Sequence, residues 1–149
     1  MKQSKLIMTR STLTFIGLAL SLWVAGAEAD VVAVVSSKSV VGALNRRQVA
    51  DIFLGKTARF PDGSQAVPID QSEGTVVRDE FYEKFCDQSA AQIKAHWSKL
   101  IFTGRGQPPK VAPNSLAMKK LIVANPAAIG YIEANLVDDT VRVVILTGP

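Results

Sequence analysis

The segment Val67–Phe85 constrains the fold of this chain more than any other. It reads as a short strand over Ala66–Ile69, a turn of small and polar residues over Asp70–Gly74, and a helix over Thr75–Cys86. A strand that turns directly into a helix is a building unit of α/β domains, and the first N–H groups of such a helix have no partners within it. The segment therefore predicts an α/β fold with a polar corner where the helix begins.

The rest of the chain alternates between strand and helix patterns. Val31–Val35 is a continuous apolar run, which is typical of a strand buried on both faces. Asn45 with Gln48, and Ser89 with Gln92, have the spacing of capping boxes that begin two further helices. The remaining predicted elements are a helix over Leu116–Ala124 and strands over Ala128–Ile132 and Val141–Leu146. This alternation predicts a three-layer α/β sandwich around a mostly parallel mixed sheet.

The first 29 residues have the pattern of a secretory signal peptide. A basic start precedes the apolar run Leu13–Ala25 and the small-x-small motif Ala27-Glu28-Ala29. The run is shorter than the roughly 20 apolar residues that a membrane span needs. We expect cleavage after Ala29, which leaves residues 30–149 as a single periplasmic domain with no stable membrane span. Because Cys86 is the only cysteine, we expect no internal disulfide and interpret its thiol as half-buried and inert.

Charge and composition argue against several classes of function. The chain carries a net charge of +4, but three of its basic residues, Lys2, Lys5 and Arg10, lie in the segment expected to be removed. No dense basic stripe remains, so nucleic acid is not a predicted partner. His96 is the only histidine and has no paired cysteine, which predicts no metal or other cofactor. The absence of a Gly-x-Ser-x-Gly motif fits a protein that is not an enzyme.

The beginning of the predicted helix combines several groups that suit an anion. Ser72 and Thr75 offer hydroxyl groups, Gly74 lets the backbone approach a ligand closely, and Arg78 lies one turn into the helix. The helix dipole adds partial positive charge at the same point. Two interpretations remain open: an ordinary N-cap, or a site for a small oxyanion or an acidic ligand.

Other polar residues follow the ends of predicted elements. Ser36 and Ser37 come after the first strand, and Arg105 lies in the loop Thr103–Gln107. In open α/β sheets, ligands bind where the carboxyl ends of strands meet the following loops. If the first two strands run parallel, these residues gather beside Gln71–Thr75 and form one site with it.

Three segments together resemble one protein family. They are the ten residues RQVADIFLGK over Arg47–Lys56, the Ser72–Thr75 helix start and the seven residues PAAIGYI over Pro126–Ile132. In this order they resemble the phosphate-binding periplasmic proteins of ABC transporters, which are two-lobed type II solute-binding proteins. The resemblance implies one lobe of that fold and a role in binding phosphate or another small oxyanion for transport or sensing. The candidate ligand-binding residues are Ser36, Ser37, Ser72, Gly74, Thr75, Arg78 and Arg105.

The chain departs from the phosphate motif of that family, which reads roughly Arg-x-Asp-Gly-Ser-Gly-Thr. Aligned on Gly74 and Thr75, the arginine of the motif falls at Ile69 and its serine at Glu73. The first change removes a bidentate contact to phosphate, and the second places a like charge where the anion would bind. We hypothesise that Glu73 folds back onto its own helix, or pairs with an arginine, and blocks tight anion binding.

A single lobe leaves such a site open to solvent, where charged hydrogen bonds are screened. We therefore expect weak binding unless a second chain covers the site, and a homodimer of this chain is one way to provide that cover. The alternative function is accordingly an envelope protein–protein interaction module that has lost anion binding.

Overall fold

The computed structural model describes residues 30–145, so the predicted signal peptide, the cleavage motif and Leu146 lie outside the described residues. Helices and strands alternate through most of this region, as the sequence predicts. The elements in chain order are β1 (Val31–Ser36), α1 (Arg46–Phe53), β2 (Val67–Gln71), α2 (Val76–Cys86), α3 (Ala90–Phe102), β3 (Lys110–Ala112), α4 (Ser115–Ala124), β4 (Ala128–Glu133), a 3₁₀ turn (Ala134–Leu136) and β5 (Val141–Val143).

The strands form one mixed sheet in the order β3-β2-β4-β1-β5. β2 runs parallel to both β3 and β4. β1 runs antiparallel to β4 and to β5, so it alone opposes the common direction. The predicted α/β class with a mostly parallel mixed sheet is therefore confirmed.

The direction of β1 differs from the expectation. Its side chains are buried, as the apolar run predicts, but Val31 pairs with Glu133 and Val35 with Ile129 in an antiparallel register. A continuous apolar run reports burial on both faces of a sheet and carries no information about strand direction. The expectation that β1 runs parallel to β2 is wrong for this reason.

Helices cover both faces of the sheet. On one face, the Phe81 ring of α2 stacks on Tyr131 of β4 with 3.9 Å between ring centroids, and Phe53 of α1 packs edge-on against Phe81 at 4.7 Å. Successive side chains of a strand point to opposite faces, so Gly130 faces the other layer, where it meets Met118 and Ile122 of α4. The predicted three-layer sandwich follows from this arrangement.

Local capping signals begin the helices where the sequence predicts them. The side chains and backbones of Asn45 and Gln48 exchange two hydrogen bonds of 2.9 Å at the start of α1. Ser89 and Gln92 form the second capping box at the start of α3, with bonds of 2.8 and 3.3 Å. Both predictions are confirmed, because a capping box depends only on residues three positions apart.

Three local details were missed. β3 is a three-residue strand that pairs with β2, and Asn114 is the N-cap of α4, where its side chain accepts from the N–H of Ala117. Phe102 is 93% exposed at the last turn of α3, whereas large aromatic side chains are usually buried. Helical spacing predicts which residues share a face, but not how far along the helix the packing continues. Within residues 30–145, none of the helices has the length and apolar character to cross a bilayer.

Gly130 is the point of closest approach between the sheet and α4. A Cβ atom built there would lie 2.7 Å from Cδ1 of Ile122 and would collide with the sulfur of Met118. Gly130→Ala is therefore expected to lower the free energy of unfolding by about 1–3 kcal/mol through overpacking. Gly42→Ala is the matched control, since a Cβ there meets nothing within 4 Å. Urea denaturation of both variants measures their free energies of unfolding. Equal midpoints would show that the side chains of α4 move aside for the new methyl group without strain.

Candidate anion-binding corner

The turn between β2 and α2, residues 72–75, is the corner that the sequence singled out. The N–H of Ser72 donates to the carbonyl of Ala112 at 3.1 Å, which fixes the turn to β3. Gly74 adopts a positive φ of 86°, a conformation that L side chains disfavour. The hydroxyl of Thr75 donates to the carbonyl of Ser72 at 2.9 Å. The turn is therefore ordered by its own hydrogen bonds and by the edge strand.

No side chain caps the beginning of α2. Thr75 occupies the N-cap position in an extended conformation, but its hydroxyl makes no capping bond. Among the hydrogen bonds of residues 30–145, none uses the N–H groups of Val76, Val77 or Arg78 as donors. Gly74 and Val76 beside them are exposed. Of the two interpretations of this segment, the ordinary side-chain N-cap is absent, so the first peptide donors of α2 have no partners in the described residues and lie beside an exposed turn.

Directly beneath the corner lies a buried carboxylate. Asp70, at 3% exposure, accepts hydrogen bonds from Nε of Arg78 at 3.1 Å, from the hydroxyl of Tyr82 at 3.0 Å and from the hydroxyl of Tyr131. It also accepts from the N–H of Gln71 at 2.8 Å. These donors belong to α2, β4 and β2 itself. One carboxylate therefore joins three elements at the edge of the sheet where α2 begins.

Because this network of Asp70, Arg78, Tyr82 and Tyr131 is charged and buried, the pKa values of its side chains are shifted. Burial opposes the charge of the Arg78 guanidinium, but Asp70 beside it more than compensates, so the pKa of Arg78 is raised. Burial first, and the charge of Asp70 second, raise the pKa of both Tyr82 and Tyr131 above the usual range. The two phenols therefore remain protonated donors to Asp70, and Arg78 remains a cation.

Arg78 does not present its charge at the corner. The sequence suggested that it supplies a positive charge to a ligand one turn into α2, yet its side chain is 9% exposed and its guanidinium is paired with Asp70. Tertiary pairing with a residue eight positions earlier overrides the expectation from helical spacing. Gln71 extends the same network, since its side-chain amide donates to the Ser115 hydroxyl at 2.9 Å and to the Tyr131 carbonyl at 3.2 Å. Neither Gln71 nor Ser115 was singled out from the sequence.

Lys94 of α3 forms an ion pair with Glu73 in the turn of the corner. Its Nζ atom lies 3.3 Å from the carboxylate of Glu73, with side-chain exposures of 69% and 59%. Glu73 thus pairs with a lysine, whereas the sequence suggested its own helix, Arg78 or Arg105 as the partner. An exposed pair of this kind contributes about 0–1 kcal/mol to stability, so either group is available to a ligand. No local pattern could have indicated Lys94, because the contact depends on how α3 packs beside the turn.

Ser36 and Ser37 lie at the opposite end of the strands from the corner. Because β1 is antiparallel, its end is beside the beginning of β4, as the Val35–Ile129 pairing shows, whereas the corner follows the end of β2. The N–H of Ser37 donates to the carbonyl of Thr140 at 3.0 Å. The expectation that these two serines meet the corner is wrong, and the reversed strand is the reason.

Arg105 is also separated from the corner. Its N–H closes the end of α3 on the Leu100 carbonyl at 2.9 Å. The residues that follow it, 106–109, line a cleft together with Ala66 and Pro68 at the beginning of β2. Within the described residues, no hydrogen bond or ion pair joins Arg105 to the turn that follows the end of β2. Of the predicted ligand residues, only Ser72, Gly74 and Thr75 are therefore in the corner.

The lone cysteine and histidine have structural environments. Cys86 is half-buried at the end of α2, and burial raises the pKa of its thiol to about 12. His96 places Nε2 2.9 Å from the carbonyl of Leu54. In residues 30–145, no group of three or more His, Cys, Asp or Glu side chains is arranged to hold a metal ion.

The fold matches solved structures of phosphate-binding and phosphate-transport proteins. A Clostridium perfringens protein, assigned as a phosphate ABC transporter substrate-binding protein and solved with bound phosphate, superposes with a TM-score of 0.61 at 22% identity, over 80% of this chain and 47% of its own. An ABC-type phosphate transport receptor from Vibrio cholerae gives 0.54 at 18%, over 77% and 45%. PstS from Borrelia burgdorferi gives 0.52 at 10%, over 80% and 47%.

The chain thus has the phosphate-binding-protein-like fold and corresponds to one lobe of it, as the sequence resemblance implied. It spans about half the length of the structures it matches. No protein-family model and no curated protein sequence matches the chain.

The buried network yields a stability prediction. Asp70→Asn leaves Arg78 as an uncompensated buried charge, so the free energy of unfolding is expected to fall by about 3–5 kcal/mol. Glu73→Gln removes a carboxylate from the exposed pair with Lys94 and is expected to cost less than about 1 kcal/mol. Urea denaturation monitored by tryptophan fluorescence compares the two. Equal losses would contradict the assignment of Asp70 as the residue that joins β2, α2 and β4.

Proposed function

We propose that this chain is an exported, non-enzymatic solute-binding protein that binds phosphate or a similar small oxyanion at the corner, for ABC-type transport or sensing. The uncapped, solvent-facing start of α2 is the observation that carries the proposal. The N–H groups of its first three residues have no partners within residues 30–145, and Gly74 and Val76 beside them are exposed. The structural likeness to phosphate-binding proteins supports the same conclusion, and export rests on the predicted signal peptide.

The chemistry of the corner favours a compact oxyanion. Backbone N–H groups and the Ser72 hydroxyl are hydrogen-bond donors that keep their protons near neutral pH, and the helix macrodipole adds partial positive charge. Gly74, which has no side chain, leaves room for a ligand to approach the backbone. The guanidinium of Arg78 is directed inward, so the only full positive charge that the described ion pairs place beside the turn is Lys94. An oxyanion held by peptide donors and one exposed lysine is expected to bind weakly and with strong dependence on ionic strength.

Removal of a single peptide donor provides a sharp test of this site. Val76 is the first residue of α2 and is 75% exposed, and Thr75 before it has the extended backbone that a following proline requires. Val76→Pro therefore deletes one N–H at the helix position where proline is best tolerated. We expect the Kd for phosphate, measured by calorimetry, to rise about tenfold, as expected for the loss of one charge-assisted hydrogen bond.

Val76→Ala is the matched control, since it removes the same side chain and keeps the N–H. Circular dichroism spectra of the two variants establish that α2 is retained. Equal phosphate affinity in the proline and alanine variants would place the ligand away from the start of α2 and contradict the proposal.

Glu73 is predicted to limit the affinity of the corner. Glu73→Ser removes a like charge next to the ligand and releases Lys94 from its ion pair. Phosphate should then bind more tightly than to the unaltered chain, and the double variant with Lys94→Gln should lose most of that gain. Calorimetry at low and at physiological ionic strength measures both effects. If the affinity of the serine variant is unchanged, Glu73 does not block the corner.

An interaction module remains the second candidate function, and one observation favours it. Ile101 and Phe102 at the end of α3 are 56% and 93% exposed, an arrangement that places two large apolar side chains together on the surface. Adjacent exposed apolar residues are typical of surfaces that contact another protein. Absence of phosphate, sulfate and carboxylate binding in both the unaltered chain and the serine variant would favour this function over solute binding.

A further inference from the structure

Asp30, the first residue that the structure describes, is hydrogen-bonded to α2 and to the residue that follows β4. The carbonyl of Asp30 accepts a bond of 2.7 Å from the N–H of Ala134, which follows β4. Lys84 of α2 donates to the carboxylate of Asp30 and to the carbonyl of Val31, both at 2.8 Å. The N–H of Val31 donates to the carboxylate of Glu80 at 3.3 Å. The position of Asp30 is therefore fixed relative to α2 and to the end of β4.

Negative charge exceeds positive charge around Asp30. A cleft of about 530 Å³ is lined by Asp30, Glu80, Glu83 and Lys84. Lys84 is the only cation among these residues, and it is paired with Asp30. Within the described residues, Glu80 and Glu83 form no ion pair. The cleft thus holds more carboxylates than its single ammonium group can neutralise.

A further carboxylate, that of Glu133, lies opposite the beginning of β1 and has one oxygen atom without a hydrogen-bond donor in the described residues. Glu133 stands opposite Val31 in the sheet register, and the atom without a donor is its buried Oε2. Alternation along β4 puts Glu133 on the same face as Tyr131, which packs against Phe81 of α2. Buried carboxylate oxygens almost always accept a hydrogen bond. Because Glu133 pairs with Val31, the unpartnered Oε2 atom indicates a missing hydrogen-bond donor close to the beginning of β1.

We propose that the α-ammonium group created at Asp30 by cleavage after Ala29 is bound by the carboxylates of Glu80, Glu83 and Glu133. Hydrolysis of the Ala29–Asp30 peptide bond by water gives a carboxylate on the released segment and an amine on Asp30, which takes up a proton. Before cleavage, the same nitrogen is a neutral amide. The new cation arises one covalent bond from a Cα atom that is already held in the carboxylate-rich cleft, so processing itself strengthens the attachment of β1 to α2.

The charges around this group determine a pH dependence. Glu80, Glu83 and Glu133 favour the charged ammonium, as does the Asp30 carboxylate, whereas Lys84 opposes it. The pKa of the amine should therefore be raised in the folded chain above its unfolded value of about 8. The added stability is then present in full below pH of about 8, and is lost as the pH rises through the raised pKa of the folded chain. The inference depends on cleavage at the predicted bond and does not depend on anion binding.

The first experiment measures that amine directly. The full chain is exported from a bacterial host, and mass spectrometry of the purified protein establishes whether it begins at Asp30. The pKa of its α-amino group is then determined by NMR titration. We expect a value above the usual one, which returns toward about 8 in the Glu80→Gln/Glu83→Gln variant. Asp139→Asn is the control, because it removes a carboxylate that is exposed and makes no hydrogen bond or ion pair in the described residues.

The second experiment measures the consequence for stability. The α-amino group is acetylated selectively, which removes the charge and adds only a small group. Acetylation should lower the urea midpoint at pH 7, and should leave it unchanged at a pH above the raised pKa or in the Glu80→Gln/Glu83→Gln background. An exported chain that begins at another residue, an α-amino pKa at or below about 8, or equal midpoints with and without acetylation would each overturn the proposal.

Discussion

The packing of α2 and β4 against β2 depends on the hydrogen bonds and the ion pair of the buried Asp70 carboxylate. A charge at 3% exposure is stable only when it is paired and hydrogen-bonded, and Asp70 receives donors from α2 and β4 as well as from its own strand. Because those donors are fixed in space, α2 can leave β2 in only one orientation. The orientation of α2 is thus fixed by this buried network together with the hydrogen bonds of the turn.

This arrangement has a consequence for the charge available to a ligand. The cation closest in sequence to the corner, Arg78, is paired with Asp70 inside the protein, so the proposed anion site would rely on the partial charges of the peptide groups and on Lys94 at the surface. Partial charges are effective only at short range, and an exposed lysine is screened by salt. A site of this composition suits a ligand that is taken up where it is abundant, or one that a second protein surface covers after binding.

Features that depend on nearby residues could be predicted from the sequence, and features that depend on distant pairings could not. The two capping boxes, the strand–turn–helix segment and the burial of Val31–Val35 all follow from spacing and composition. The direction of β1 and the Arg78–Asp70 pair depend on which elements meet in three dimensions. Of the candidate site, the sequence therefore identified the peptide corner itself, but not the charges that surround it.

The reversed direction of β1 connects the corner with the predicted cleavage point. Since Val31 pairs with Glu133, the beginning of β1 lies at the same end of the sheet as the carboxyl ends of β4 and β2. Two strand spacings separate β1 from β2, a distance of about 10 Å. That distance slightly exceeds the Debye length of about 8 Å at physiological salt, so the surplus negative charge around Asp30 is largely screened at the corner there and would oppose an incoming anion mainly at low ionic strength. An ammonium group at Asp30 reduces this surplus, so removal of the N-terminal segment would favour the attachment of β1 and, at low ionic strength, the attraction of an anion at this end of the strands.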